Sequence, residues 1–344
     1  MKINNLNTIK IGYRHRRLRW IIVTSFLVIL TFSLCITMLL LGNTKYPLEV
    51  VVNVLFGEQI QGATFAIGTI RLPRMLSGLL VGIAFGMAGS TFQTMLRNPL
   101  ASPDIVGVTS GCSAAAVFCI LVLKVSGNIV SAAAVIAGLL VAALIYVLSK
   151  GGSFSGGRLI LIGIGVQAMI NAFVSFLLLK ASQYDVPGAL RWLSGSLNGM
   201  QMKNIPGLFI VVVVFGLVII FLGKHLKILE LGEHSAITLG VKTDQTRLLL
   251  VLSSVFLIAF ATAITGPVAF VAFLAGPIGA KLVGTGSPNE LPSGLVGAAL
   301  VLGADIIGQF AFDTRFPVGV ITGILGAPYL IFLLIRMNRM GGSS

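Results

Sequence analysis

Long apolar runs alternate with short polar breaks along this chain, and the alternation predicts its architecture. Ten apolar runs can be laid out, at 20–41, 70–96, 105–123, 129–149, 159–179, 205–222, 248–264, 268–282, 293–312 and 316–335. Most approach the ~20 residues that a helix needs to cross a bilayer's hydrocarbon core. The run at 268–282 is short, and Gly266-Pro267 before it marks a turn. The breaks at 42–69 and 180–204 each leave room for a short helix at the membrane interface, the second one holding Trp192. The expected fold is all-α and polytopic, with about ten transmembrane helices. A single transmembrane domain covers 20–336, between a basic tail at 1–19 and a short tail at 337–344. Within the run at 70–96, Gly78, Gly82, Gly86 and Ser90 recur every four residues. That spacing places them on one helix face, where a second backbone can approach closely.

Composition excludes the soluble alternative. With 56% of residues hydrophobic and 10% charged, a water-soluble domain could not cover its apolar surface. The net charge of +14 would suit nucleic acid, but the basic residues sit in the breaks between apolar runs. Their distribution sets the orientation instead. Arg14, His15, Arg16, Arg17 and Arg19 cluster before the first run, and placing them in the cytoplasm puts 16 of the 24 Lys and Arg residues on inner segments and 8 on outer ones. Both ends are then cytoplasmic. The first run is too long for a signal-peptide core and lacks a small-residue cleavage site, so it reads as a retained anchor. Cys35, Cys112 and Cys119 all fall in apolar stretches without metal-ligand spacing, which predicts core packing.

Several chemistries are missing from the sequence. There is no G-x-x-x-x-G-K-[ST] phosphate loop, so the chain is not expected to hydrolyse ATP, nor to be an enzyme at all. There is no HExxH and no CxxC, and His15, His225 and His234 all lie in cytoplasmic segments. The apolar runs therefore hold no His/Cys/carboxylate cage for a bare transition metal. A metal crossing here would cross inside a chelate, and no cofactor is expected on the chain itself.

Four groups of residues remain as candidates. The segment 224–247 is longer than topology requires; Leu231, Ala236, Ile237 and Leu239 can form an apolar face beside Glu230, Glu233 and His234, with Gly232 and Gly240 allowing sharp turns. Arg71 and Arg74 stand near the outer end of the run 70–96, against the overall charge bias. Gln93, the pair Gln167 and Asn171, and the pair Asp305 and Gln309 are polar groups inside apolar runs, fit either for a pathway or for bonding between helices. The glycine-rich break at 150–158 could form a movable constriction.

The Arg-Leu-Pro-Arg entry at 71–74, the AG…Q…NPLASPD…G pattern at 88–107, LGEHSAITLGV at 231–241 and FPVGVITGILGAPYL at 316–330 together resemble the FecCD family, in the expected order and over nearly the whole chain beyond the N-terminal tail. Members are permeases of bacterial ABC importers for iron–siderophores, haem and cobalamin. The resemblance implies a type II ABC importer permease fold with five-helix halves of opposite orientation, in the cytoplasmic membrane. It implies a second permease chain, identical or a sister, and a cytoplasmic ABC ATPase dimer that uses the ATP. The ATPase would dock on a coupling helix carried by Leu231, Gly232, Glu233, Ala236, Leu239 and Gly240. Arg71 and Arg74 would dock acidic residues of an extracytoplasmic substrate-binding protein, and Gly152, Ser153, Ser155 and Gly156 match the family's cytoplasmic gate. The family often has a further arginine after the Ala-Asp of the ninth run; here Ala304-Asp305 is followed by Ile306, and Arg315 stands where relatives often carry glutamate before the proline. GPVAFVAFLAGP at 266–277, in place of the more usual GFIGLVxPH pattern, looks more like siderophore relatives. The expected cargo is a ferric siderophore, with haem or cobalamin as the alternative. A stand-alone secondary transporter is the third reading; charged coupling residues at midplane would favour it, and they are nearly absent.

Overall fold

The computed structural model describes residues 2–149, 156–284 and 286–341. Helix α1 (Lys2–Leu40) carries the basic tail and the first apolar run on one continuous helix. A short outer helix, α2 (Leu48–Leu55), follows, and a π-helical turn (Phe65–Arg71) leads directly into α3 (Leu72–Met95). A 3₁₀ turn (Pro103–Val106) opens α4 (Val108–Leu121), which is followed by α5 (Asn128–Ser149) and α6 (Gly156–Lys180). Outside the bundle lies α7 (Val186–Leu193), then α8 (Ile205–Leu229), the short α9 (Glu233–Thr238), and α10 (Thr243–Thr265). The chain closes with α11 (Val271–Val283), α12 (Glu290–Phe310) and α13 (Val318–Gly341). Each of the ten apolar runs falls on its own helix, and no described residue is in a strand.

The helix ends depart from the apolar runs where water replaces lipid. Helix α8 runs on to Leu229 and α10 already begins at Thr243, so the stretch between them shortens to 230–242. Hydropathy marks where lipid ends; lysine, glutamine and arginine continue a helix in water without difficulty. The same holds for the N-terminal tail, which prolongs α1 rather than forming a separate segment.

Among the described residues, seven helices are long and apolar enough to cross a membrane, and α4, α11 and the apolar part of α13 are shorter. At 1.5 Å per residue, α4 and α11 each reach only about 20 Å. Irregular backbone therefore lies at membrane depth, and it is satisfied from within the protein. Ser196 N donates to Thr265 O at 2.7 Å, and Gly319 N donates to Gly195 O at 3.1 Å, which joins the segment after α7 to the ends of α10 and α13. Helix α11 itself is buried from Val271 through Gly276.

Helix α3 is the hub. Of its most apolar stretch 83% is buried, against 17% for α6. The small-residue stripe faces α12, running antiparallel: Gly78 meets Leu302, Gly82 meets Ala298, and Gly86 meets Ser293 and Gly294. A Cβ at Gly82 would lie 2.6 Å from Gly297 O, and one at Gly86 would overlap the Ser293 carbonyl. The approach is reciprocal, because a Cβ at Gly297 would overlap Gly82 O. Next along the stripe, Asn289 Nδ2 donates to Ser90 Oγ at 3.1 Å. A second glycine, Gly89, brings α11 equally near, against Ala272 O. The three cysteines are buried and unbonded.

Gly82→Leu and Gly86→Leu should each destabilise the protein by at least ~1–3 kcal/mol through overpacking against backbone that cannot yield. Gly303→Ala on α12, where a Cβ meets nothing within 4 Å, should leave stability unchanged. Thermal unfolding of the detergent-purified protein, followed by size-exclusion chromatography, reads all three.

Candidate functional site

At the cytoplasmic end, α9 is a six-residue helix held between two glycine turns. Gly232 has φ +120° and Gly240 has φ +82°, conformations that side chains with a Cβ rarely adopt. Ala236 is fully buried and anchors the helix to the core. Glu233 pairs with Arg247 in the first turns of α10 at 3.1 Å, and Arg97 Nη2 donates to Leu229 O at the end of α8 at 2.9 Å. Around this anchor Leu231, Ile237 and Leu239 point outward, with 67%, 56% and 61% of their surfaces exposed. The expected apolar face is thus split: Ala236 turns inward as the pin, and the other three form the free surface. Position 237 is turned ~100° about the axis from 236, and Leu239 falls just beyond the last residue of α9, so neither shares the inward side of Ala236.

Of the expected gate residues, Gly152, Ser153 and Ser155 lie outside the described residues. Gly156 is the first residue of α6, where a Cβ would sit 2.9 Å from a Leu96 methyl.

At the outer end the two expected docking arginines are engaged within the chain. Arg71 Nη1 donates to Leu39 O at 2.8 Å and Leu40 O at 3.1 Å, Nη2 donates to Thr44 O at 2.6 Å, and the guanidinium lies over the Tyr46 ring. It therefore caps the last carbonyls of α1, which have no partner inside their own helix. Arg74 is buried, and its Nε and Nη2 each donate to an oxygen of Asp305 at 2.8 Å, while Nη1 donates to Asn198 Oδ1 at 2.6 Å. Asp305, 1% exposed, also accepts from Gln309 Nε2 at 2.7 Å. A free Arg74 guanidinium reaching for a partner is not what the structure holds, because a buried carboxylate in α12 takes two of its nitrogens. Asp305 is accordingly a link between α3 and α12. Arg315, which donates to Asn43 Oδ1 at 2.5 Å, is exposed and is an accessible cation beside them. Arg71, Arg74 and Arg315 line one cavity of about 220 Å³ with Asn43, Asn198 and Gln309. Sequence reasoning did not pair Arg74 with Asp305; the available signal was an acid and a base at the same depth on two apolar runs.

The other polar residues separate into two kinds. Gln93 is buried, and its Nε2 donates to Phe273 O at 2.9 Å. Pro277 inside α11 has no N–H to give that carbonyl, so the glutamine supplies the missing donor. Gln167 and Asn171 are half-buried and exposed on α6, beside exposed Leu161, Ile164 and Met169. Their own chain leaves that face largely uncovered.

Comparison with known proteins agrees with this geometry. The model of the FecCD transport family matches residues 26–336. The chain is 36% identical over 286 residues to the ferric enterobactin transport system permease protein FepG of Escherichia coli, covering 83% of this chain and 87% of that protein. It is 35% identical over 329 residues to FepD of the same organism, also a ferric enterobactin transport system permease protein, covering 94% and 97%. A solved metal-chelate type ABC transporter in an inward-facing conformation superposes with a TM-score of 0.82 at 27% identity, covering 91% of this chain and 99% of the other.

Asp305→Ala should cost ~3–5 kcal/mol, because it leaves the Arg74 guanidinium buried without its counter-charge. The double replacement Arg74→Met with Asp305→Leu should recover most of that loss. Denaturant titration of the purified protein measures both.

Proposed function

The chain belongs to the FecCD transport family, and we propose that it is a permease subunit of an ATP-driven ABC importer that brings a ferric siderophore into the cytoplasm. The observation that carries this reading is the exposed apolar triplet Leu231, Ile237 and Leu239, on and flanking a helix otherwise fastened to the bundle. Burying a leucine or isoleucine side chain is worth roughly 1.5–3 kcal/mol, so the triplet suits a protein partner on the cytoplasmic side. A dimeric ATPase is that partner, and it performs the hydrolysis for which this chain has no phosphate loop. Motion imposed on α9 passes to α10 through Glu233–Arg247; Arg97 ties the adjoining end of α8 to the chain just beyond α3. Each nucleotide state of the ATPase then favours one helix arrangement, outward-open or inward-open.

The uncovered face of α6 supports a second permease chain. Gln167 and Asn171 facing lipid would be unpartnered polar groups in hydrocarbon, whereas a pathway enclosed by two permeases wets or pairs them. The glycine-rich segment 150–158, between α5 and α6, is the proposed cytoplasmic gate. At the outer end, the cavity rimmed by Arg71 and Arg315 offers positive charge to an acidic side chain of a substrate-binding protein, which would orient the delivered chelate over the pathway. Siderophore is favoured as cargo by the FepG and FepD likeness and by the 266–277 sequence.

Leu231→Asp together with Leu239→Asp should abolish co-purification of the ATPase and reduce iron–siderophore uptake to background while the permease remains in the membrane; undiminished ATPase capture would refute the coupling role. Arg315→Glu should slow association of the binding protein and flatten its salt dependence. Biosensor kinetics at several ionic strengths test this, and unchanged rates would exclude Arg315 from docking.

A further inference from the structure

We propose that a groove between the outer ends of α5, α8 and α10 binds one anionic phospholipid of the outer leaflet. Two adjoining cavities, of about 350 and 220 Å³, share Asn128, Ser131, Lys203, Asn204, Ala263 and Ile264, and so form one continuous groove. Its two halves differ in chemistry. The upper half carries the charged and polar groups, Arg191 and Trp192 of α7, Lys203, and serine, asparagine and glutamine side chains, beside Ile120, Val130 and Met200. No aspartate or glutamate lines either half, and among the described residues neither Arg191 nor Lys203 is in an ion pair. Both cations are exposed. The lower half is walled by Val135 of α5, Gly207 and Leu208 of α8, and Phe260 and Ile264 of α10.

The division follows membrane depth. Helices α5 and α8 begin at this rim and α10 ends there, so Leu208, Phe260 and Val135 lie from just under one turn to two turns below it, toward the hydrocarbon. A phosphate between Arg191 and Lys203 meets two positive charges and the electropositive first turns of α5 and α8. An acyl chain attached to that phosphate continues into the apolar half. Trp192 lines the upper half beside Arg191, and an indole ring suits the headgroup level of a membrane. A soluble anion would use the upper half alone and leave the apolar half without a ligand; a zwitterionic lipid would bring its own cation against Arg191 and Lys203. A bound anionic lipid would bridge α7 to α8 and so fasten the outer helix to the bundle.

The test is native mass spectrometry of the purified full chain, released from nanodiscs of equal parts phosphatidylglycerol and phosphatidylcholine. One phosphatidylglycerol should remain bound in preference to phosphatidylcholine. Arg191→Gln with Lys203→Gln should lower its retention about twenty-five-fold, at roughly a factor of five per charge. Gly207→Leu should lower it as well, by filling the apolar half without altering charge; a Cβ there meets nothing within 4 Å, so the variant should fold. Equal retention of the two lipids, or parental retention by both variants, would overturn the proposal. Displacement of the lipid by millimolar inorganic phosphate would overturn it too, since it would assign the upper half to a free anion.

Discussion

Two helix backbones in direct contact hold this molecule together. Within a bilayer there is no hydrophobic gain in moving a leucine from lipid to protein, so association rests on close packing and on polar contacts. Helices α3 and α12 meet with glycine against glycine, Gly82 on Gly297 and Gly86 on Gly294, and their backbones touch along several turns. The opposite flank of α3 repeats the device with Gly89 against Ala272 of α11, while Met87 fills the notch that Gly216 leaves in α8. The burial of α3 follows from these contacts, as does the position of everything its two ends carry: the arginines outside and the Arg97–Asn98–Pro99 break inside.

Around that contact, polar side chains serve mainly to complete the backbone of neighbouring helices. Arg71 caps the end of α1, and Gln93 replaces the donor that Pro277 withholds from α11. Arg19 donates to Lys281 O and Leu282 O at the end of α11, and Trp20 Nε1 donates to Pro288 O in the following turn. Carbonyls at helix ends and proline breaks would otherwise lie unpaired in a region short of water. The groups left for partners differ in character: an apolar triplet in and beside α9, the polar pair Gln167 and Asn171 on α6, and cations at the outer rim.

The helical layout was legible in the sequence because lipid acts on every residue of a crossing, and ten apolar runs record that pressure directly. The stripe from Gly78 to Ser90 announced a close neighbour, but not which one; its counterpart, Gly294 with Gly297, lies in a run whose other small residues masked it. The glycine turns around α9 could be read from Gly232 and Gly240. That Ala236 faces inward could not, since a single turn of helix has too few residues for a pattern to declare its buried side. The partners of the two arginines within the chain were not legible for a related reason. Charge bias identifies Arg71 and Arg74 as unusual for the outer side, yet only the packed structure reveals that α1's last carbonyls and Asp305 occupy them.

The Arg74–Asp305 pair also sets a timetable for the growing chain. The two residues are 231 positions apart. At a synthesis rate of about 5–20 residues per second, roughly ten to fifty seconds pass between the emergence of the arginine and that of its carboxylate. During that interval α3 must reside at the membrane with an unmatched guanidinium. An arginine in the first turn can reach back to the interface along its own aliphatic stem, whereas one at mid-depth could not do so cheaply. When α12 emerges, it delivers the carboxylate and the glycine stripe together. The central helix of the finished protein is therefore a provisional one for most of the protein's synthesis, and the ninth crossing is the event that commits it.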